Sequence, residues 1–289
     1  MSVGMRLGDL VGIGAYYLLG SERRKAHTHI LIAFGKEKSP KDVKRIAKAS
    51  FRNLAKNAVE LVNLPRIRGN IDSHFFVEGE EYLQQAFSQG SGVLWITGHI
   101  GNWELMGFYW AARGYPINVI ARRVYDTRLN DLLMRFRQHA GVNTIFRDTP
   151  QAGREILKAL KGKEILAMLI DQDTKVKGVM VDFFGQKANT PAGAAILATK
   201  RAVPVIAGFI NRMRDGRHRI EIYPPIELVH TEDFKKDIEQ NTQRFNQIIE
   251  RHIQEFPEDW IWIHRRWRRR VPYAPAVAQK EAHTDQSLS

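Results

Sequence analysis

From residue 74 onward the chain alternates short apolar runs with longer amphipathic ones, and that alternation limits the fold more than any other feature. Apolar runs of strand length fall at 75–77, 92–97, 117–121, 144–146, 165–170, 203–210 and 218–223. Between them, segments at 79–88, 102–113, 127–139, 151–161, 191–201 and 232–256 carry apolar residues at helical spacing. Such alternation predicts an α/β domain: a mostly parallel central sheet flanked by helices. In open sheets of this kind, ligands bind beyond the carboxyl ends of the strands. The residues that follow each apolar run are therefore the first place to look for chemistry.

The first 65 residues read differently. Ser39-Pro40-Lys41-Asp42 is a helix start, with a capping hydroxyl and a Pro at the first helical position. Val43, Ile46, Ala47, Phe51, Leu54, Ala55, Ala58 and Val62 then recur at helical spacing until Pro65. The expected organisation is a helical N-terminal segment over 1–65, an α/β domain over 66–272 and a disordered tail over 273–289. Residues 10–20 are apolar, but that run falls short of the roughly 18 to 20 residues that cross a bilayer. It reads as a buried helix, an interfacial anchor or the remnant of a longer membrane segment. The sequence SERRKAH after it does not resemble a signal-peptide cleavage site.

Composition removes whole classes. There is no cysteine, so a disulfide scaffold, a Cys-ligated metal centre and a thiol nucleophile are excluded. There is no GxSxG elbow, P-loop, GxGxxG or HExxH. The formal net charge of +13 favours anionic partners: nucleic acid, an anionic membrane face or an acidic protein.

The apolar run at 92–97 leads into Gly98-His99-Ile100-Gly101-Asn102-Trp103-Glu104. A His at a strand end, oriented by a carboxylate, is a common device for activating a hydroxyl. On a regular helix His99 and Glu104 would lie about 140° apart, so they meet only across an irregular turn. Ten His and 31 acids in 289 residues yield about one such spacing by chance, so the spacing alone is weak. The run at 165–170 leads into Asp171-Gln172-Asp173, either a support for catalytic groups, a metal or phosphate site, or a solvated turn. Arg122 and Arg147 follow two other runs and are candidates for binding phosphate or an oxyanion. The stretch 260–270, WIWIHRRWRRR, suits an anionic membrane interface or nucleic acid. The alternative is that its Trp residues are core and its Arg residues solvated. Phe108, Trp110, Phe183 and Phe184 are candidates to line an apolar tunnel, with core packing the other reading.

Taken together, GHIGNWE (98–104), DQD with the downstream FFG and TPAGAA (171–195), and WIWIHRRWRRR resemble the bacterial lipid A biosynthesis acyltransferases. The resemblance runs from about residue 5 to residue 272. Four blocks of the wider glycerolipid acyltransferase superfamily also fit: His99 and Glu104; Gly141, Ile145 and Arg147; the DQD in place of a Pro-Glu-Gly run; and Val203-Pro204-Val205. The resemblance implies a glycerolipid acyltransferase-like fold and a reaction without cofactor or metal. An acyl chain would move from an acyl carrier protein thioester to a hydroxyl of a lipid A precursor. His99 would be the general base and Glu104 would orient it. Asn102, Arg122, Arg147, Asp171 and Asp173 would bind substrate or support the site. Nucleic acid is not an expected partner. The expected location is the cytoplasmic face of the inner membrane, reached peripherally or by a short N-terminal anchor. Alternative acceptors include other glycolipids such as a phosphatidylinositol mannoside. A metal-dependent phosphoesterase and a non-catalytic binding protein are the more distant readings.

Overall fold

The structure, a computed structural model, describes residues 2–267 apart from 36 and 175. The expected tail, and Arg268, Arg269 and Arg270, lie outside the described residues. The chain opens with α1 (Ser2–Leu18), α2 (Gly20–Phe34) and α3 (Pro40–Val62), then two short helices, α4 (Leu64–Arg68) and α5 (Ile71–His74). The α/β part follows as β1 (Phe75–Glu78), α6 (Glu80–Ser88), β2 (Val93–Thr97), α7 (Trp103–Ala112), β3 (Ile117–Ala121), α8 (Thr127–Ala140), β4 (Val142–Phe146), α9 (Ala152–Lys161) and β5 (Ile165–Leu169). It is completed by β6 (Gly178–Phe183), β7 (Gln186–Pro191), α10 (Gly193–Arg201), β8 (Val205–Arg212), β9 (His218–Ile222) and α11 (Phe234–Glu255).

Seven strands form one sheet in the order β1-β9-β8-β2-β5-β3-β4. Every neighbouring pair is parallel except β8 with β9. The expected mixed α/β class with a mostly parallel sheet is what the chain adopts. β2 sits at the centre, and all five of its residues are buried, as a strand covered on both faces requires. β8 and β9 form a hairpin, so the loop between them lies at the same end of the sheet as the last residues of β2, β3, β4 and β5.

The segment 178–191 carries no strand expectation, yet it forms the antiparallel hairpin β6–β7. Its two-residue turn, Phe184-Gly185, has positive φ at both positions. Turns of this kind are usually marked by Asn-Gly or Asp-Gly, so Phe-Gly hides the signal. Phe183 is buried beside Trp260 and Trp267, which holds the turn against the core.

α1 lies along α3. Gly4, Gly8 and Gly12 form a small-residue stripe on the contact side, and a Cβ on Gly12 would fall 2.5 Å from the Arg52 Cα. Asp9 then bonds Arg52 at 2.8 Å and Lys56 at 2.7 Å. The other face exposes Val3, Leu7, Leu10, Val11 and Leu18. Among the described residues no helix is long and apolar enough to cross a membrane. Further along, Tyr16, Ile30, Phe34, Ile46 and Phe51 share one buried cluster with Leu94 and Ile96 of β2 and with Trp260 and Trp262.

That cluster corrects one reading of 260–270. Trp260, Trp262 and Trp267 are core residues, and so is Arg266. The Arg266 guanidinium donates to the Asn189 carbonyl at 2.9 Å, to Thr190 Oγ1 at 2.7 Å and to Asn246 Oδ1 at 2.6 Å. It also lies 4.5 Å from the Phe183 ring centroid. Burying so many apolar rings outweighs any gain from presenting them to lipid. Arg265 is the arginine of this stretch that stays exposed among the described residues.

Candidate active site

The site forms where β2 ends. Residues 98–102 turn sharply out of the strand, with Gly101 at φ +56 and packed so closely that a Cβ would fall 1.8 Å from the Ile210 carbonyl oxygen. The turn is clamped from the C-terminal side. Gly101 N–H donates to the Asp259 carbonyl at 2.9 Å, Ile261 N–H donates to the His99 carbonyl at 3.3 Å, and Ile100 bridges to Trp260. Asn102 caps α7 by accepting from the Leu105 N–H at 3.3 Å.

His99 emerges from this turn with its side chain 23% exposed. Its Nδ1 lies 2.8 Å from Asp171 Oδ1, and its backbone N–H donates to Asp171 Oδ2 at 2.8 Å. Trp260 Nε1 donates to the same Oδ2 at 2.8 Å. Asp171 follows β5, the parallel neighbour of β2, so the sheet itself sets the pair side by side. The Asp171 side chain is fully buried. Burial would raise its pKa, but the facing His99 charge and these hydrogen bonds hold the carboxyl well below the usual range. A carboxylate on Nδ1 fixes the tautomer and leaves Nε2 as the nitrogen able to take a proton. Among the described residues Nε2 makes no hydrogen bond. The Trp103 ring meets His99 edge-on at 5.0 Å, and the His264 ring lies parallel to it at 6.4 Å.

The carboxylate on Nδ1 is thus Asp171, where the sequence reading had put Glu104. Glu104 faces Arg137 of α8 instead, accepting at 2.8 Å and 2.5 Å, and also accepts from Trp103 Nε1 at 3.2 Å. This ion pair borders a narrow apolar cavity between the sheet and α7, walled by Trp95, Met106, Gly107, Trp110, Ala167 and Leu169. Of the tunnel candidates Trp110 lines this cavity, while Phe183 and Phe184 belong to the other buried cluster.

Asp173 is buried and accepts from Asn189 Nδ2 at 3.0 Å, leaving Oδ2 without a partner. Asn102 turns away from His99, its Nδ2 donating to Glu60 Oε2 at 2.8 Å. Glu60 anchors a buried network, accepting from Arg212 at 2.8 Å and lying 3.0 Å from His218 Nε2. Burial would raise its pKa, but these two partners hold it down to about 2. Arg122 and Arg147 stand at the ends of β3 and β4, at the same end of the sheet as His99. Burial and the neighbouring Arg122 push the Arg147 pKa down, with Asp148 opposing. Among the described residues no group of three or more His, Asp or Glu could hold a metal ion.

Sequence reasoning missed Trp260, His264 and Arg137 as neighbours of the site. No local signal links them to residues 99–104, because only the fold brings 260–264 across the turn.

A carboxylate-backed His at the end of a parallel strand is an arrangement able to activate a hydroxyl. The family model described as bacterial lipid A biosynthesis acyltransferase matches residues 1–269, and the chain belongs to that family. Among curated proteins, it is 28% identical over 272 residues to the lipid A biosynthesis palmitoleoyltransferase of Escherichia coli, covering 91% of this chain and 84% of that one. It is 25% identical over 239 residues to the phosphatidylinositol mannoside acyltransferase of Mycolicibacterium smegmatis, covering 80% of this chain and 75% of that one. It is 26% identical over 202 residues to the lipid A biosynthesis lauroyltransferase of Escherichia coli, covering 69% of this chain and 64% of that one.

Proposed function

We propose that this acyltransferase moves a fatty acyl chain from an acyl carrier protein thioester to a hydroxyl of a lipid A precursor, with His99 as general base. The observation that carries the reading is the Asp171–His99 pair, whose bonded Nδ1 leaves Nε2 of a partly exposed imidazole without a hydrogen bond among the described residues. In the forward step Nε2 takes the acceptor hydroxyl proton while the oxygen attacks the thioester carbonyl. The collapse of the adduct breaks the C–S bond, and the imidazolium returns its proton to the leaving thiolate. An ester and a thiol result, and His99 ends as it began. Asp171 stabilises the imidazolium in between. Arg122 and Arg147 offer a site for an acceptor phosphate. The Glu104–Arg137 ion pair acts as a positioning contact beside the turn that carries His99. Asn102 and Asp173 support the turn and the neighbouring strand end. The work is done at the cytoplasmic face of the inner membrane, with the protein held peripherally or by its N-terminal helices.

A second acceptor class has its own support: the mycobacterial relatives, whose names give a phosphatidylinositol mannoside as the acceptor. The chemistry at His99 is the same for either glycolipid.

Mass spectrometry of acceptor after incubation with acyl carrier protein and coenzyme A thioesters tests both donor and acceptor. A gain of one acyl group on the lipid A precursor is expected. His99→Ala removes it, and Asp171→Asn lowers the rate by about 10²–10⁴, the usual worth of a positioned acid–base group. Full activity of a folded His99→Ala protein overturns the general-base role. A gain only on the mannoside acceptor selects the second class.

A further inference from the structure

Away from His99, a cavity of about 1010 Å³ opens where α1, α3, the end of α5 and the β8–β9 loop meet. Arg6, Arg52, Lys56, Arg212, Arg214 and Arg217 line it against Asp9 and Asp215. Most of these cations are held by acids. Arg52 and Lys56 pair with Asp9, Arg212 with Glu60 and Arg217 with Asp215. Arg6 and Arg214 differ. Both are exposed, and among the described residues neither has a hydrogen bond or an ion pair. Two guanidiniums without a counter-charge in one concavity favour an anion there, and phosphate suits their forked donors best.

The rim of the same cavity is apolar. Met5 and Leu10 line it, and Leu10 continues into the exposed stripe of Val3, Leu7, Val11 and Leu18. α3 covers the glycine side of α1, about 110° round the helix from this stripe, and the stripe stays exposed. A soluble polyanion would use the cations and leave the stripe in water. An anionic lipid uses both.

We propose that this groove is a second anion site, distinct from Arg122 and Arg147, which binds the phosphate of an anionic lipid headgroup while the α1 stripe lies among acyl chains. The groove and the active site share one end of the sheet, because β8 runs parallel to β2. Headgroup binding at Arg6 and Arg214 therefore holds that end toward the lipid surface. The inference does not depend on acyl transfer, and binding is read without turnover.

The test measures partition of the full chain onto vesicles of phosphatidylcholine alone and of phosphatidylcholine with phosphatidylglycerol. Arg6→Gln combined with Arg214→Gln is compared with Lys158→Gln combined with Lys161→Gln. The control removes the same charge from the last turn of α9, which leads to the far end of the sheet. The groove variant is expected to bind anionic vesicles about 30-fold more weakly, from about 1 kcal/mol per basic residue at an anionic surface, and the control to change by less than about threefold. Equal losses in both variants overturn the site in favour of net charge. Equal binding to neutral and anionic vesicles overturns the phosphate role. A rise in Tm with inorganic phosphate, lost in the groove variant but without vesicle binding, overturns the lipid in favour of free phosphate. Thermal unfolding of each variant confirms that the fold is intact.

Discussion

α1 and the stretch 260–267 look alike as sequence. Each is apolar, aromatic and accompanied by Arg, and each is a candidate for contact with a membrane. The fold separates them completely. α1 keeps five large apolar residues exposed on one face because Gly4, Gly8 and Gly12 close the other face against α3. In 260–267 the rings of Trp260, Trp262 and Trp267 turn inward and meet Phe183 or Phe34. The difference lies in local backbone form. Small residues every four positions give a helix a docking side and leave the rest for another environment. In 260–267 the chain turns back on itself after the bridge at Trp260, and the turns carry all three Trp rings into the core. Arginine does not mark the surface either. Burial pushes the Arg266 pKa down to about 10, with Asp171, Asp173 and Glu250 opposing, so it stays charged at neutral pH inside the core.

Stability measurements are the strongest way to break this comparison. Trp262→Ala and Arg266→Ala are each expected to cost about 3–5 kcal/mol in denaturant unfolding, through a large cavity in one case and an unpaired polar cluster in the other. Leu10→Ser and Leu18→Ser on the α1 stripe are expected to stay within about 0.5 kcal/mol. A cost below about 1 kcal/mol for Arg266→Ala means that the stretch is not core, and the contrast fails.

α3 links the two regions, since it holds α1 on one side and bonds the Trp260 carbonyl through Ser50 on another, at 2.6 Å. Its Glu60 network is the next test. Glu60→Gln is expected to cost about 3 kcal/mol at neutral pH by leaving Arg212 without its buried counter-charge. The folded pKa of about 2 lies below the ordinary 4.5. The Glu60 contribution is therefore complete above about pH 4.5 and is lost as pH falls toward 2. Native protein should lose stability across that window more steeply than Glu60→Gln. Parallel pH curves for the two proteins would remove Glu60 from the linkage.

The sheet was legible because its central strands, β2 and β8, are buried nearly throughout and read as continuous apolar runs, while outer strands such as β9 showed the alternation of a half-buried strand. The β6–β7 hairpin was not, because its turn is Phe-Gly and its strands mix Lys, Asn and Asp with apolar residues. Within the site, His99 was legible as a His following a strand. Its carboxylate was misplaced because Glu104 is near in sequence while Asp171 is near in space. Pairing of β2 with β5 brings residues 99 and 171 together, and local spacing carries no trace of it. The Arg122 and Arg147 pair follows the same rule from the other side: two strand ends that neighbour each other only once β3 meets β4.

The smallest expected effect belongs to Arg265. It is the exposed arginine of 260–267, so Arg265→Gln isolates whatever surface role that stretch has from the core role of Arg266. Stability should change by less than about 0.5 kcal/mol, as for a surface position without partners. Partition onto anionic vesicles should also hold steady, since the lipid-facing surface is assigned to α1. A basic residue that touches an anionic surface contributes about 1 kcal/mol, or about fivefold in partition. A fivefold drop for Arg265→Gln would place this edge of the Trp-rich stretch at the membrane after all. The two regions would then share one interface, differing only in how much of each is core.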